Sequence, residues 1–463
     1  MDLQKLTLKH IVLLGLMWIG MLIQTSTISS LSGKDQDQII NNGSSYIPFS
    51  LKTVPHTIFF EPSILAEEKA YLNKNEDTNP QISKKLISEA NTFLIMNPVS
   101  VINKTKIPPS GNKHDFLSLT PYRWPDPSKP HGLPYVFYDG KINPEIYSIP
   151  DKGNLDDMIY RVKTLSLAYY FTEKQEYASK AAELLRMWFL NNSTYMNPNL
   201  TYAETVPGKD QINPSGIMAG TYISSVLDAV TLIQDSKSWT NHDQRGINLW
   251  FNKYLDWLLY SEAVGEEIQK INNHGTYYDV QISSIALYLN KTDIARKVIL
   301  SATQELTPIS IPDIHSLIAV KIQPNGQQPF ELQRSKSLDY SIFNLLGMFK
   351  LASVGQNLGI DLWNFKTQQG AGLKKALDYL LPFALKKQIW PYQQIEPIRS
   401  EYLVDLLCQA TLHYPKDRTY LQMYKSMYEG VIPSDNGNYH VCMPQFDLHK
   451  ETDPGSVEAE IFR

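Results

Sequence analysis

Cysteine is nearly missing from this chain: Cys408 and Cys442 are the only two in 463 residues. At most one disulfide can form, so no cysteine framework holds the fold, and two buried thiols are equally compatible with the sequence. Excess positive charge is missing too, because 43 Lys and Arg stand against 47 Asp and Glu, a formal net charge of −4. That balance disfavours nucleic-acid binding. A polyanionic partner would have to be gripped by a few cations gathered in one pocket. The ten His show no H-E-x-x-H or comparable ligand spacing, so neither a metal nor any other cofactor is expected. Strand-like alternation is scarce until the end of the chain.

What is present is an ample apolar fraction, 43%, with 11% aromatic residues, enough for a packed core in one large domain or two smaller ones. Eight Trp and 27 Tyr are many. Most will be core, but flat rings along a cleft are also what sugar rings stack on. The N-terminus reads as an export signal over residues 1–30. Lys5 and Lys9 precede an uncharged apolar run from Ile11 to Ile23, and Thr25, Ser26, Thr27, Ser29 and Ser30 supply small residues for cleavage. The run is short for a membrane span, so a periplasmic or extracellular protein with no stable membrane insertion after cleavage is expected. Residues 31–54, rich in Ser, Asn, Asp and Gln, read as a flexible leader.

From Leu155 onward helical stripes follow one another. Met158, Val162, Leu165 and Tyr169 share one face, as do Tyr177, Ala181, Leu184, Leu185 and Trp188. Ile223 to Ile233 and Ile247 to Leu258 repeat the pattern, and further helices are predicted at 276–289, 293–305, 338–354, 371–387, 400–413 and 418–429. Helices of this length joined by short polar connections read as stacked hairpins, all-α in class. The hairpins lack recognisable self-similarity, which favours a closed ring with a central cleft over a consensus solenoid. Residues 105–150, rich in Pro, Gly and aromatics, read as an irregular binding loop or lid.

Three stretches are dense in polar groups. His114 to Pro127, with Tyr122-Arg123-Trp124, forms a proline-restricted aromatic loop. Asn272-Asn273-His274 precedes a helix, where free backbone N–H groups favour an anion; a carboxylate could be held by Asn273 and His274, although one Asn could simply be the N-cap. Glu331-Leu332-Gln333-Arg334 leads into Ser337, a good N-cap, which puts Tyr340 in the first turn and Arg334 in the loop before it.

These blocks, together with Gly132-Leu133-Pro134-Tyr135, Asn143-Pro144-Glu145 and Met196-Asn197-Pro198-Asn199-Leu200, give a sequence that resembles the alginate-lyase domain superfamily, which includes polysaccharide lyase families 5 and 38. The resemblance runs over roughly residues 55–430, with 431–463 expected to pack on the same domain. It implies an (α/α) toroid, an incomplete α/α barrel of helical hairpins, and β-elimination across a uronate ring of an alginate-type or glucuronan-type polymer. It further implies that Asn273, His274 and Arg334 neutralise the substrate carboxylate and that Tyr340 serves as base and acid. The six-residue spacing from Arg334 to Tyr340 resembles family 38 more than family 5. Tyr122, Arg123, Trp124, Asn272, Tyr278 and Glu331 are the expected substrate-binding residues, and a monomer is expected. A Tyr hydroxyl titrates near ~10, so acting as a base near neutrality needs about 4 kcal/mol of differential stabilisation, which the Arg334 cation and His274 are expected to supply in large part. Two rivals are a glycoside hydrolase drawing on Asp126, Asp279, Glu331 or Asp339, and a non-catalytic polysaccharide-binding protein.

Overall fold

The computed structural model describes residues 55–74, 81–304 and 318–427. The expected signal peptide and leader, Cys442 and the segment 431–463 lie outside the described residues. Helices α1 (Pro62–Lys74) and α2 (Gln81–Ile95) come first. Five successive pairs follow: α3 (Asp151–Thr172) and α4 (Gln175–Leu185), α5 (Val226–Ile233) and α6 (Asn241–Tyr260), α7 (Asn273–Tyr288) and α8 (Thr292–Ala302), α9 (Ser337–Asn357) and α10 (Leu373–Ala384), α11 (Ser400–His413) and α12 (Arg418–Met427). The fold is the (α/α) toroid.

Why the pairs make a ring follows from how each helix is buried. The first helix of a pair is covered on every side: in α3, Leu155, Met158 and Val162 are buried, and so are Asp157, Arg161, Lys163 and Ser166. Helix α9 likewise buries Asp339, Ser341 and Asn344 beside Leu345 and Phe349. A helix with no solvent face must have neighbours all round, so these are the inner helices. The second helices bury only one stripe, such as Leu373, Ala376, Leu377 and Leu380 in α10, and form the outside. Inner α3, α5, α9 and α11 converge on a small enclosed cavity whose lining includes Lys163, Asp228, Lys350 and Asp405. Backbone N–H groups of Ile58, Phe59 and Phe60 donate to the Asp228 carboxylate at 2.6, 2.8 and 3.0 Å, so the first described segment closes this end.

Aromatic stacking ties the inner ring together. Tyr277 of α7 stacks on Phe343 of α9 at 4.3 Å, and Phe343 on Tyr402 of α11 at 5.5 Å. The Tyr402 and Tyr222 hydroxyls share a hydrogen bond of 2.6 Å. Such contacts add to the area buried and fix relative helix rotation.

The stretch expected to be irregular contains short strands. β1 (Leu117–Leu119) pairs in parallel with β4 (Tyr202–Thr205), and β2 (Arg123–Trp124) pairs antiparallel with β3 (Val136–Phe137). Strands of two to four residues are too short to display alternation, which is why the sequence hid them. The loop is pinned to α3 by a fully buried ion pair, Lys104 Nζ to Asp151 Oδ2 at 2.7 Å. Asp151 also accepts the Leu117 N–H at 2.9 Å.

Candidate active site

Helix α7 begins at Asn273, with Asn272 as its N-cap: the Asn272 side chain accepts the His274 backbone N–H at 3.1 Å. Asn272 is thereby committed to the cap, the alternative its position left open. Asn273 is almost wholly buried, and both its backbone N–H and its amide Nδ2 donate to Glu331, at 2.6 and 2.7 Å. Glu331, expected to meet substrate, is itself 1% exposed, and both carboxylate oxygens hold Asn273. Its geometry is that of a positioning residue. Burial, the largest influence, pushes the Glu331 carboxyl up, while Asn273, Arg334 and Lys321 pull against it. Beneath the same helix start, the buried Lys321 ammonium donates to the Asn272 carbonyl and the Thr276 hydroxyl at 2.8 and 2.7 Å.

His274 is 23% exposed and its Nδ1 lies 2.6 Å from Glu267 Oε2, on the 3-10 turn Gly265–Gln269. A carboxylate there fixes Nδ1 as the donor and turns Nε2 outward. Burial alone would raise the Glu267 carboxyl, but the hydrogen bonds from His274 and Ser215 outweigh it and hold Glu267 below the usual range.

Arg334 and Tyr340 arrive from the start of α9. Ser337 is the first helical residue and not the expected cap; its hydroxyl donates to the Gln393 carbonyl. The capping group comes from elsewhere in the chain: Gln394 Oε1 accepts the Leu338 and Asp339 N–H groups at 2.9 and 3.4 Å. Tyr340 still falls in the first turn. The Arg334 guanidinium lies over its ring, 3.9 Å from the centroid. Nε and Nη2 of Arg334 engage Asp139 at 3.2 and 2.6 Å, while Nη1 bonds to no described residue. Asp139 also accepts the Ser335 N–H at 2.8 Å. Gly140 has φ 74°, and a Cβ there would collide with Ser335 Oγ, so this close approach requires glycine.

The Tyr340 hydroxyl donates to the Tyr122 hydroxyl at 2.8 Å. Burial first and Tyr122 second push Tyr340 well above the usual phenol range; Arg334 pulls the other way without prevailing. Desolvation of a phenol only 6% exposed dominates here. Around Tyr122, the Arg123 guanidinium lies over Phe137 at 5.2 Å, and Trp124 donates its indole N–H to the Lys141 carbonyl at 2.9 Å. Trp124 is held by its edge and remains partly exposed. Tyr278 is buried, with its hydroxyl on the Leu258 carbonyl at 2.9 Å, in the wall between α6 and α7.

Next to these groups lies a cavity of about 520 Å³, lined among others by Ser118, Pro121, Lys152, Arg161 and Glu204. Pro121 adjoins Tyr122 in sequence, whereas Asn273, His274, Arg334 and Tyr340 are not among the residues that line the cavity. The carboxylates available for hydrolysis are committed or apart: Asp339 is paired with Arg399 at 2.7 Å, Glu331 with Asn273, and Asp126 bonds Ser128 on the surface. No cluster of metal-binding side chains occurs among the described residues. Asp139, Glu204, Glu267 and Lys321 were missed by sequence reasoning. Asp139-Gly140 carried only a turn signal, and the others carried none.

Residues 100–390 match the family model described as alginate lyase. The chain is similar to the crystal structure of an alginate lyase from Bacteroides ovatus, with 35% identity over 84% of this chain and 100% of that one and a TM-score of 0.74. It is also similar to alginate lyase A1-III from Sphingomonas species A1, with 14% identity over 71% of this chain and 87% of that one and a TM-score of 0.45. No curated protein matches the sequence.

Proposed function

Because the chain belongs to the alginate lyase family and is a polysaccharide lyase, we propose that it cleaves a uronic-acid polymer of alginate or glucuronan type by β-elimination. One observation carries this reading: Arg334, lying over Tyr340, keeps Nη1 uncommitted while Asp139 occupies its other edge. A planar fork held by one side can present the other to a carboxylate.

The barrier in this chemistry comes from removing a proton next to an anionic carboxylate. Donors aimed at that group stabilise the enolate-like state, usually the largest catalytic contribution. Arg334 Nη1, His274 Nε2 and the second amide N–H of Asn273 are assigned to it. Tyr340 is assigned to proton transfer at C5 and at the leaving O4. Since its hydroxyl starts protonated, that proton must leave to solvent before the phenolate can take the one from C5, and the Tyr122 hydroxyl at 2.8 Å is placed to turn and donate to the phenolate. Returned to the neutral state, the same phenol is the acid for O4. Trp124 and Arg123 are assigned to sugar contact, and Asn272, Tyr278 and Glu331 to shaping the site around the reacting residues.

The charged start and apolar run of residues 1–30 support export to the periplasm or beyond, and the protein is taken to act as a monomer. The experiment that tests the function is a panel of defined uronans, mannuronate-rich, guluronate-rich and glucuronan, followed by ultraviolet absorbance of the C4–C5 double bond. Absorbance growing with one or more of them supports the assignment; new reducing ends without absorbance would replace it with hydrolysis.

A further inference from the structure

Glu204 stands in a conformation that glutamate seldom adopts. It lies in β4 with φ 51°, in the left-handed region where Gly, Asn or Asp are the usual occupants. Its backbone is fixed on both sides: its N–H donates to Ser118 Oγ at 2.9 Å and its carbonyl accepts from Asn213 Nδ2 at 2.8 Å. The side chain is partly exposed and lines the 520 Å³ cavity, and the hydrogen bonds of Glu204 to described residues are both made by its backbone. A strained backbone that delivers an unpartnered acid into a cleft is a pattern of functional sites.

Resting on the lyase reading above, we infer that Glu204 is a further catalytic residue, a carboxylic acid that lends its proton through a hydrogen bond to the carboxylate of the substrate's uronate. Two ionised carboxylates would repel, whereas a protonated one donates. When Tyr340 takes the C5 proton, the C5–H electron pair becomes the C5–C6 π bond of an enediolate, and the charge gathers on the carboxylate oxygens that Glu204 faces. On collapse the pair forms the C4–C5 double bond, the C4–O4 bond breaks, O4 receives its proton from Tyr340, and Glu204 keeps its own. The charged groups that face Glu204 are His274 of α7, Glu267 of the preceding turn and Lys152 of α3; Asp156, Asp157 and Arg161 line the same cavity. Loss of hydration is the largest influence and, after the pull of His274 and Lys152 and the opposing push of Glu267, leaves the Glu204 carboxyl pushed up to about 7. The proton is therefore held below about pH 7 and lost above it.

Two measurements test this. The first is the pH profile of kcat/KM on the best uronan for wild type, Glu204→Gln and Glu204→Ala, each checked for native circular dichroism. The wild-type rate should fall as pH rises through about 7. Glu204→Gln, a donor that does not titrate, should lose that descending limb and stay within about tenfold of wild type. Glu204→Ala should be slower by about 100-fold below pH 7, with the gap to wild type closing as the pH rises. A limb that persists in Glu204→Gln, or an Ala variant within twofold of wild type below pH 7, overturns the proposal. The second is calorimetry of a uronate tetrasaccharide binding to Tyr340→Phe at pH 8 in two buffers of different ionisation enthalpy. Proton uptake that disappears in Tyr340→Phe/Glu204→Gln supports the role, and uptake that is absent or unchanged overturns it. This proton count remains decisive even if no uronan gives an unsaturated product, the outcome that would sink the function and not the ionisation of Glu204.

Discussion

Asp139 and Arg334, 195 residues apart, form a side-on ion pair in which Nε and Nη2 of the arginine meet the same carboxylate at 3.2 and 2.6 Å. Asp139 thus fixes the plane of the guanidinium over Tyr340 and leaves Nη1 available. Asp139→Ala should lower kcat/KM by about tenfold to a hundredfold while the protein stays folded, because a mispositioned group costs catalysis before stability. If the variant is instead faster, Asp139 competes with the substrate for Arg334 and the positioning role is wrong.

Glu331 holds Asn273 by two hydrogen bonds inside the protein. Glu331→Gln keeps the volume but can accept from Asn273 with only one oxygen, so kcat should fall by about ten- to a hundredfold with KM nearly unchanged, as expected when the support of a transition-state donor is weakened. A rise in KM alone would mean that Glu331 contacts sugar after all.

Trp124 is anchored through its indole N–H to Lys141 and keeps part of its ring exposed beside Tyr122. Trp124→Ala should weaken polymer binding more than it slows turnover at saturation, since a stacking contact is lost without touching the reacting atoms. Equal losses on monomeric and polymeric ligands, or an unfolded variant, would identify a structural tryptophan.

A fourth expectation concerns stability. Asp243 caps α6 through Thr240 and pairs with Arg186 at 2.7 Å. Although burial alone would raise it, these partners hold its carboxyl down to about 2, below the ordinary 3.8. A depressed folded value means the stabilisation is full above pH 3.8 and is lost as pH falls toward 2. Asp243→Asn should cost about 1–2 kcal/mol in urea denaturation at pH 6, with the gap to wild type closing as pH drops. A gap that does not depend on pH would show that the charge contributes nothing.

The ring of helices was readable because the outer helices carry stripes, and the inner segment 400–413 was also delimited as it stands. The inner helices were readable only in part. In α3 the stripe through Met158 and Val162 is real, yet Asp157, Arg161 and Lys163 are buried as well, which no periodicity announces. Asn273, His274, Arg334 and Tyr340 were singled out through motif and order. Their holders were not: Asp139, Glu267 and Glu331 are joined to them by tertiary contacts, and Glu331 was expected to meet substrate. The start of α9 misled for the same reason, since Gln394, 56 residues beyond Leu338, supplies the cap that Ser337 was expected to provide.

The most direct test of the account is the initial rate of unsaturated-product formation by folded wild type, Tyr340→Phe and Arg334→Lys on the best uronan. Removing the Tyr340 hydroxyl leaves the ring under Arg334 and should cost stability little, while a residue that serves as both base and acid should lose at least about 10⁴-fold in kcat. Arg334→Lys keeps the charge but not the fork, so it should also be costly. A Tyr340→Phe enzyme within about tenfold of wild type, far short of the range for general acid–base catalysis, would contradict the assignment of the proton transfers to Tyr340.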